Sequence, residues 1–138
     1  MGISAVGFAQ EKTRDRIKTK VKLEKVAFIT EKLDLSETEA QKFWPVYNAY
    51  KNEIDQLRTS LELNPHRDMT DKEAEDMMYA MLDGKSKEID IQKKYIEKMK
   101  TAISARKIAM LFKVERQFKE KIVSKLKDKK REREMKEK

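Results

Sequence analysis

The sequence predicts an all-α protein of four long helices around a thin core, and three observations carry that expectation. Charged residues make up 42% of the 138 residues and hydrophobic ones 38%, with only three Gly and two Pro. Few turn-formers among many Lys, Glu, Leu and Arg residues is the composition of long helices. Apolar residues recur at steps of three and four, the period of a helix face. A large apolar residue followed by a hydroxyl residue stands at Leu35-Ser36, Met69-Thr70 and Ile103-Ser104, every 34 residues. So high a charge fraction leaves little to bury, and a thin core in a short chain implies an elongated shape, a dimer, or both.

The first helix is predicted from about Thr13 to Lys32, with Leu23, Val26, Ala27, Thr30 and Leu33 at helical spacing. Ser36 then opens a capping box with Glu39: the hydroxyl accepts from the Glu39 amide and the carboxylate reaches back to the Ser36 amide. Behind it Ala40, Phe43, Tyr47, Tyr50, Ile54, Leu57 and Leu61 form one apolar seam of the kind that packs on a partner helix. This second helix is expected to end near Leu63, before Asn64-Pro65. Pro45 is the tenth residue counted from Ser36, too deep to hide among the free amides of a first turn. It deletes the bond to the Gln41 carbonyl and predicts a kink. Phe43 and Tyr47 face the seam, and Trp44 lies about 100° around from Phe43.

Thr70 and Glu73 make a second capping box. The third helix is predicted over residues 71–102, about 50 Å long. Ala74, Met77, Met78, Met81, Leu82, Ile89, Gln92, Tyr95, Ile96 and Met99 are expected on its inner side. Gly84 inside that pattern costs up to about 1 kcal/mol relative to Ala and marks a bend or a close contact. The fourth helix carries Ile108, Leu111, Phe112, Phe118, Ile122 and Leu126, interrupted by Glu115, whose expected role is a salt bridge to another helix. The closing "KDKKREREMKEK" loses the period and is expected to be frayed or disordered. The 34-residue recurrence is helix punctuation: the Trp, Gly, Tyr and Ala signature of a tetratricopeptide repeat is absent, and the helices are too long for one.

The net charge of +8 sits at the ends. Residues 11–25 hold seven basic and three acidic side chains, residues 119–138 ten and five, and the 93 between them 16 and 17. Such ends suit nucleic acid, anionic lipid or acidic protein, or simply keep a thin helical protein in solution. The chain has no Cys, hence no disulfide, thiol nucleophile or thiolate metal site. His66 is the single histidine and stands in a turn beside Asp68, so no metal ligand set, no cofactor site and no acid-base pair at a recognisable spacing is read. The first ten residues, "MGISAVGFAQ", are uncharged, and Gly7 and Ala9 fit the −3 and −1 positions of a signal-peptidase cut before Gln10. They read as the end of an export signal without its positive start, or as an apolar N-terminal tag.

The segment "LDLSETEAQKFWPVYNAY", Leu33 to Tyr50, resembles the signature of the Spy/CpxP-like periplasmic proteins, the LTxxQ-motif family. It is closest to the branch labelled sensors of ECF-type sigma factors or periplasmic heavy-metal sensors, in which "KLxLTPEEAQKFWPxYNxY" is typical. The motif falls on Leu35, Ser36 and Glu39, with Ser for Thr and Glu for Gln, and more weakly on Ile103, Ser104 and Lys107. The similarity covers residues 21–126, and "ARKIAMLFKVERQFKEKIVSKL" is similar to the family's last helix. It implies residues 1–10 as a signal-peptide remnant, 11–126 as the helical domain and 127–138 as a charged tail. It also implies a bent, hairpin-like protomer, a curved homodimer and a periplasmic location. The implied role is an ATP-independent holding chaperone for unfolded or misfolded envelope proteins, or a sensor bound to a membrane-embedded signalling protein.

The residues bear on that role directly. Met77, Met78, Met81, Met99 and Met110 are unbranched and polarizable, suited to repacking around varied partners; equally, methionine fills irregular helical cores. Trp44 with Pro45 is either an aromatic anchor at a curved helix packing or a partly exposed site for a partner. Trp44, Met77, Met78, Met81 and Met99 are the candidate contacts. A cytoplasmic nucleic-acid binder or a plain coiled-coil partner is the competing reading. The acidic residues interleaved in the tail and the lack of a recognition motif rank nucleic acid lower. Metal sensing lacks ligands, since such sites converge several His, Cys or Met side chains.

Overall fold

A computed structural model describes residues 3–138, with side chains from residue 7 onward. Four helices follow one another: α1 (Ile3–Lys32), α2 (Glu37–Ser60), α3 (Asp71–Met99) and α4 (Ala105–Lys136), with no strand among the described residues. The expected all-α class is what the chain adopts. None of these helices is long and apolar enough to cross a membrane. The chain divides into two compact units, residues 36–108 and residues 1–35 together with 109–138.

In residues 36–108 the helix starts are the punctuation seen in the sequence. Ser36 Oγ accepts from the Glu39 amide at 3.1 Å, and the Glu39 carboxylate accepts from the Ser36 amide at 3.0 Å. Thr70 and Glu73 repeat the reciprocal pair at 3.1 and 3.2 Å. Ser104 Oγ accepts from the Lys107 amide at 3.2 Å, a one-sided cap, because lysine has no acceptor to return the bond. Each such cap stabilises its helix by about 1 kcal/mol.

α2 and α3 run antiparallel as a hairpin. Descending from its open end, Tyr50 meets Tyr95 (ring centroids 5.4 Å apart), Glu53 pairs with Lys94, Arg58 pairs with Glu88, and Leu61 faces Gly84. The core of this unit is Phe43, Tyr47, Tyr50 and Ile54 of α2 with Tyr95, Met99, Ile103 and Ile108. The predicted α2 seam is therefore real, its ends Ala40, Leu57 and Leu61 half-buried. α2 passes through Pro45 without a break, and both Pro45 and Gln41 are exposed, so the carbonyl that the proline deprives of its helical partner is on the solvent side of α2.

α3 departs from the predicted inner side. Met78, Met81, Leu82 and Ile89 are exposed, while Met77 is half-buried and Gly84, Tyr95 and Met99 are buried. Gly84 explains the choice of face. A Cβ at that position would overlap Leu61 Cδ1, so the glycine admits the Leu61 side chain and turns its own side of α3 toward α2. It marks a close contact.

The other unit pairs α1 with the later part of α4. Phe28 and Phe118 meet at 5.5 Å between centroids, and Lys121 stands over the Phe28 ring at 5.3 Å. Ile29 of α1 and Leu33 just after it are buried, as are Leu111, Val114 and Phe118 of α4. Two boundaries differ from expectation here. α1 begins at Ile3, ten residues before Thr13; the stretch from Ile3 holds no proline, and its single glycine, Gly7, does not interrupt the helix. Met1 and Gly2 of the leader-like stretch lie outside the described residues. α4 continues to Lys136, since Lys, Arg, Glu and Met are good helix formers even where nothing packs on them. Shifts at the ends of α2 and α3, to Ser60 and Met99, are of the size by which helix termini fray.

The chain turns out of α1 at Asp34, among the described residues the single non-glycine one with positive φ (49°). The Asp34 amide bonds to the Glu31 carbonyl and the Leu35 amide to the Thr30 carbonyl, the paired bonds of a left-handed helix terminator that glycine usually fills. Asp34→Val is expected to lower unfolding free energy by about 1–2 kcal/mol, because a β-branched side chain crowds the backbone there. Asp34→Gly is expected to be tolerated. Equal denaturant midpoints for the two variants contradict this account of the turn.

Candidate functional site

Three groups of side chains in residues 36–108 meet the sequence-derived candidates. The first joins the two copies of the resembled motif. Lys107 Nζ lies 2.9 and 3.1 Å from the two carboxylate oxygens of Glu39, a partly buried pair 68 residues apart in sequence. The positions at which this chain departs from the motif's two glutamines thus carry opposite charges and bond to each other. Glu39 closes the cap of α2 through Ser36, and Lys107 closes that of α4 through Ser104, so one ion pair ties two helix N-termini together. The Glu39 carboxyl is held below its ordinary value, first by the Ser36 backbone amide and then by Lys107. Leu35 is half-buried and Ile103 buried beside these caps.

The second group is aromatic. The Trp44 ring stands edge-on to Phe43 at 5.0 Å and to Tyr47 at 5.2 Å, while Phe43 and Tyr47 are buried and Trp44 half-buried. Trp44 therefore covers the two core rings of its own helix while keeping part of its surface in water. Lower on the hairpin, the Glu53 carboxyl is lowered by hydrogen bonds from Lys94 and then Tyr95, and the Tyr95 phenol is raised by its bond to Glu53. Both shifts weaken proton transfer near neutrality. The trio is a clamp between α2 and α3.

The third group is the outer side of α3. Met78, Leu82, Lys85 and Ile89 succeed one another at steps of four, three and four, one line along the helix, with Met81 about 60° to one side and Tyr79 about 100° to the other. Exposures of 56% for Met78, 66% for Tyr79, 44% for Met81, 55% for Leu82 and 51% for Ile89 make this a run of large apolar side chains in water. Residues 71–83 around its start hold five acidic side chains against one lysine, Lys72.

Of the candidate contacts, Met78 and Met81 lie on this stripe, Met77 is half-buried at its margin, and Trp44 is half-buried on α2. Met99 is 1% exposed and belongs to the core, packed where α3 ends, which corrects its listing as a contact surface. Tyr79 escaped the sequence reading, which placed Leu82 and Ile89 on the inner side of α3. The signal was present as two interleaved apolar lines on α3, and Gly84 on one of them was the clue to which line packs.

Among the described residues no group of three or more His, Cys, Asp or Glu is placed to hold a metal ion, and His66 is exposed. No protein-family model, curated protein or solved structure matches this chain.

The Glu39 pair gives a pH dependence of known sign. Because folding lowers the Glu39 pKa, its contribution to stability is present above the ordinary value of 4.5 and is lost as pH falls through the folded-state value. Glu39→Gln preserves an acceptor for the Ser36 amide and removes the titration. The thermal midpoint plotted against pH is expected to fall less steeply on its acid side in this variant. An acid side as steep as in the parent chain contradicts the role of the pair.

Proposed function

We propose that this chain is an exported, ATP-independent holding chaperone of the periplasm, as its LTxxQ-like segment implies. The observation that supports the reading is the exposed stripe of α3. A chain-holding surface must accept many sequences, so it needs apolar groups that repack without a fixed pocket. Two methionines, a leucine, an isoleucine and a tyrosine on one rigid helix offer that, and the thioethers add polarizable, unbranched contact. Contiguous apolar surface on a soluble helix marks an interaction site. The acidic surroundings keep the stripe hydrated between clients and favour clients of basic or neutral character. The LTxxQ-like caps and the Glu39–Lys107 pair serve this function indirectly, by fixing the helices that present the stripe.

A dedicated sensor is the companion reading from the same resemblance, with one membrane-embedded signalling protein as the occupant of the surface. The two differ in whether unrelated unfolded chains are held.

Light scattering from an aggregating, chemically unfolded model protein separates them, without ATP and at physiological salt, with an equally basic unfolded peptide as charge control. The full chain is expected to suppress scattering beyond that control. The triple variant Met78→Ser, Met81→Ser, Leu82→Ser is expected to require about tenfold more protein for half-suppression, the loss of about 1.4 kcal/mol of client binding. Its helicity by circular dichroism is expected to be unchanged, since the three side chains are exposed. Wild-type suppression no better than the peptide rules out general chaperoning and leaves the sensor.

A further inference from the structure

Charge divides between the two units. Residues 1–35 with 109–138 carry 20 basic and 11 acidic side chains, a net of +9, whereas residues 36–108 carry 13 and 14, a net of −1. Within the basic unit, one face of α4 concentrates the effect. At 100° per residue, Arg116, Lys119, Glu120, Leu126, Lys127 and Lys130 all lie within about 60° of Val123, and Glu134 and Glu137 continue the same line beyond them. That side points away from Leu111, Phe118 and Ile122, which turn toward the packed side. Every residue from Val123 to Lys138 is exposed. Arg116, Lys119, Glu120, Val123, Ser124 and Lys127 line one shallow depression on it. At its centre Val123 is 43% and Leu126 62% exposed, two apolar side chains held in water among four cations and one carboxylate.

We propose that this face of α4 docks on an anionic lipid surface. The occupant follows from complementarity. A helix offering cations around a short apolar ridge matches a plane of phosphate headgroups with acyl chains just beneath, where the cations meet phosphate and the ridge enters the headgroup boundary. A nucleic acid leaves the ridge without a partner, and the face holds no aromatic, Asn or Gln to stack on a base or read its edge. No helix of the described residues is long and apolar enough to cross a bilayer; the docking proposed is at the headgroup surface, held by charge and a short ridge, and so reversible. Each basic side chain near an anionic surface raises partitioning about fivefold, and the net of three cations on this face between residues 116 and 130 gives about a hundredfold preference over a neutral bilayer for that stretch. Lys119 and Lys127 flank Val123 at about 40° on either side, where their apolar stems can add to the ridge. The docking face is on α4 and the client-binding reading concerns α3, so the two stand or fall separately.

Co-sedimentation of the full chain with vesicles tests this, comparing pure phosphatidylcholine with phosphatidylcholine mixed with phosphatidylglycerol. The chain is expected to pellet with the mixed vesicles alone at about 0.1 M salt and to be released at about 1 M, where the Debye length shrinks from about 10 to about 3 Å. Lys119→Glu with Lys127→Glu changes the face by four charges and is expected to cut partitioning by at least about a hundredfold. The same reversal at Lys12 and Lys18 of α1 is expected to have the smaller effect. Val123→Ser with Leu126→Ser is expected to weaken binding while keeping its salt dependence. Equal pelleting with both vesicle types, no pelleting with either, or equal loss from the α1 and α4 reversals overturns the proposal. So does release of bound protein by a short duplex DNA competitor at equal phosphate concentration.

Discussion

Burial in residues 36–108 is organised on one line of α2, from Phe43 through Tyr47 and Tyr50 to Ile54, and the rest of that unit is built to cover it. With charged residues at 42% of the chain, no second continuous line of this quality is on hand to make a thick core. Tyr95 closes on Tyr50, and Met99, Ile103 and Ile108 supply the remaining buried side chains. A fully buried Phe or Ile stabilises by about 1.5–3 kcal/mol, so the loss of Phe43 alone would remove a large share of a small domain's margin. Trp44 belongs to the same constraint, since it shields Phe43 and Tyr47 from one side with edge-on contacts.

A thin core must be aligned by something other than bulk, and the helix starts do that work. Ser36, Thr70 and Ser104 fix where α2, α3 and α4 begin, at equal spacing, and Glu39 and Lys107 then join two of those starts. At the two positions where the resembled motif has glutamine, Glu39 and Lys107 form a complementary ion pair across these two starts. A partly buried pair of this kind contributes more to the register of the helices than to net stability. Farther along, Gly84 takes part in the same alignment, letting Leu61 and the α3 backbone approach.

The number of helices, the starts of α2, α3 and α4 and the α2 seam were legible because each rests on local chemistry: periodicity, hydroxyl caps and few breakers. What escaped the sequence was a matter of rotation and length. α3 carries two apolar lines, and periodicity alone favoured the richer one, with Met78, Leu82 and Ile89; the close approach at Gly84 selects the poorer line for packing and leaves the richer one in water. The same cause put Met99 in the core and Met78 outside it. The charged end of α4 was read as frayed because it has no partner, yet helix propensity carries it to Lys136. The Glu39–Lys107 contact spans 68 residues, and no local rule points to it.

The central claim is that unfolded chains are held on the outer side of α3. A photo-crosslinking residue placed at Leu82, and for comparison at Ser124 on α4, tests it most directly in the presence of a chemically unfolded model protein. Crosslinks are expected from position 82, competed away by a second unfolded protein of unrelated sequence, and few from position 124. Equal crosslinking from both positions, or none from position 82, contradicts it.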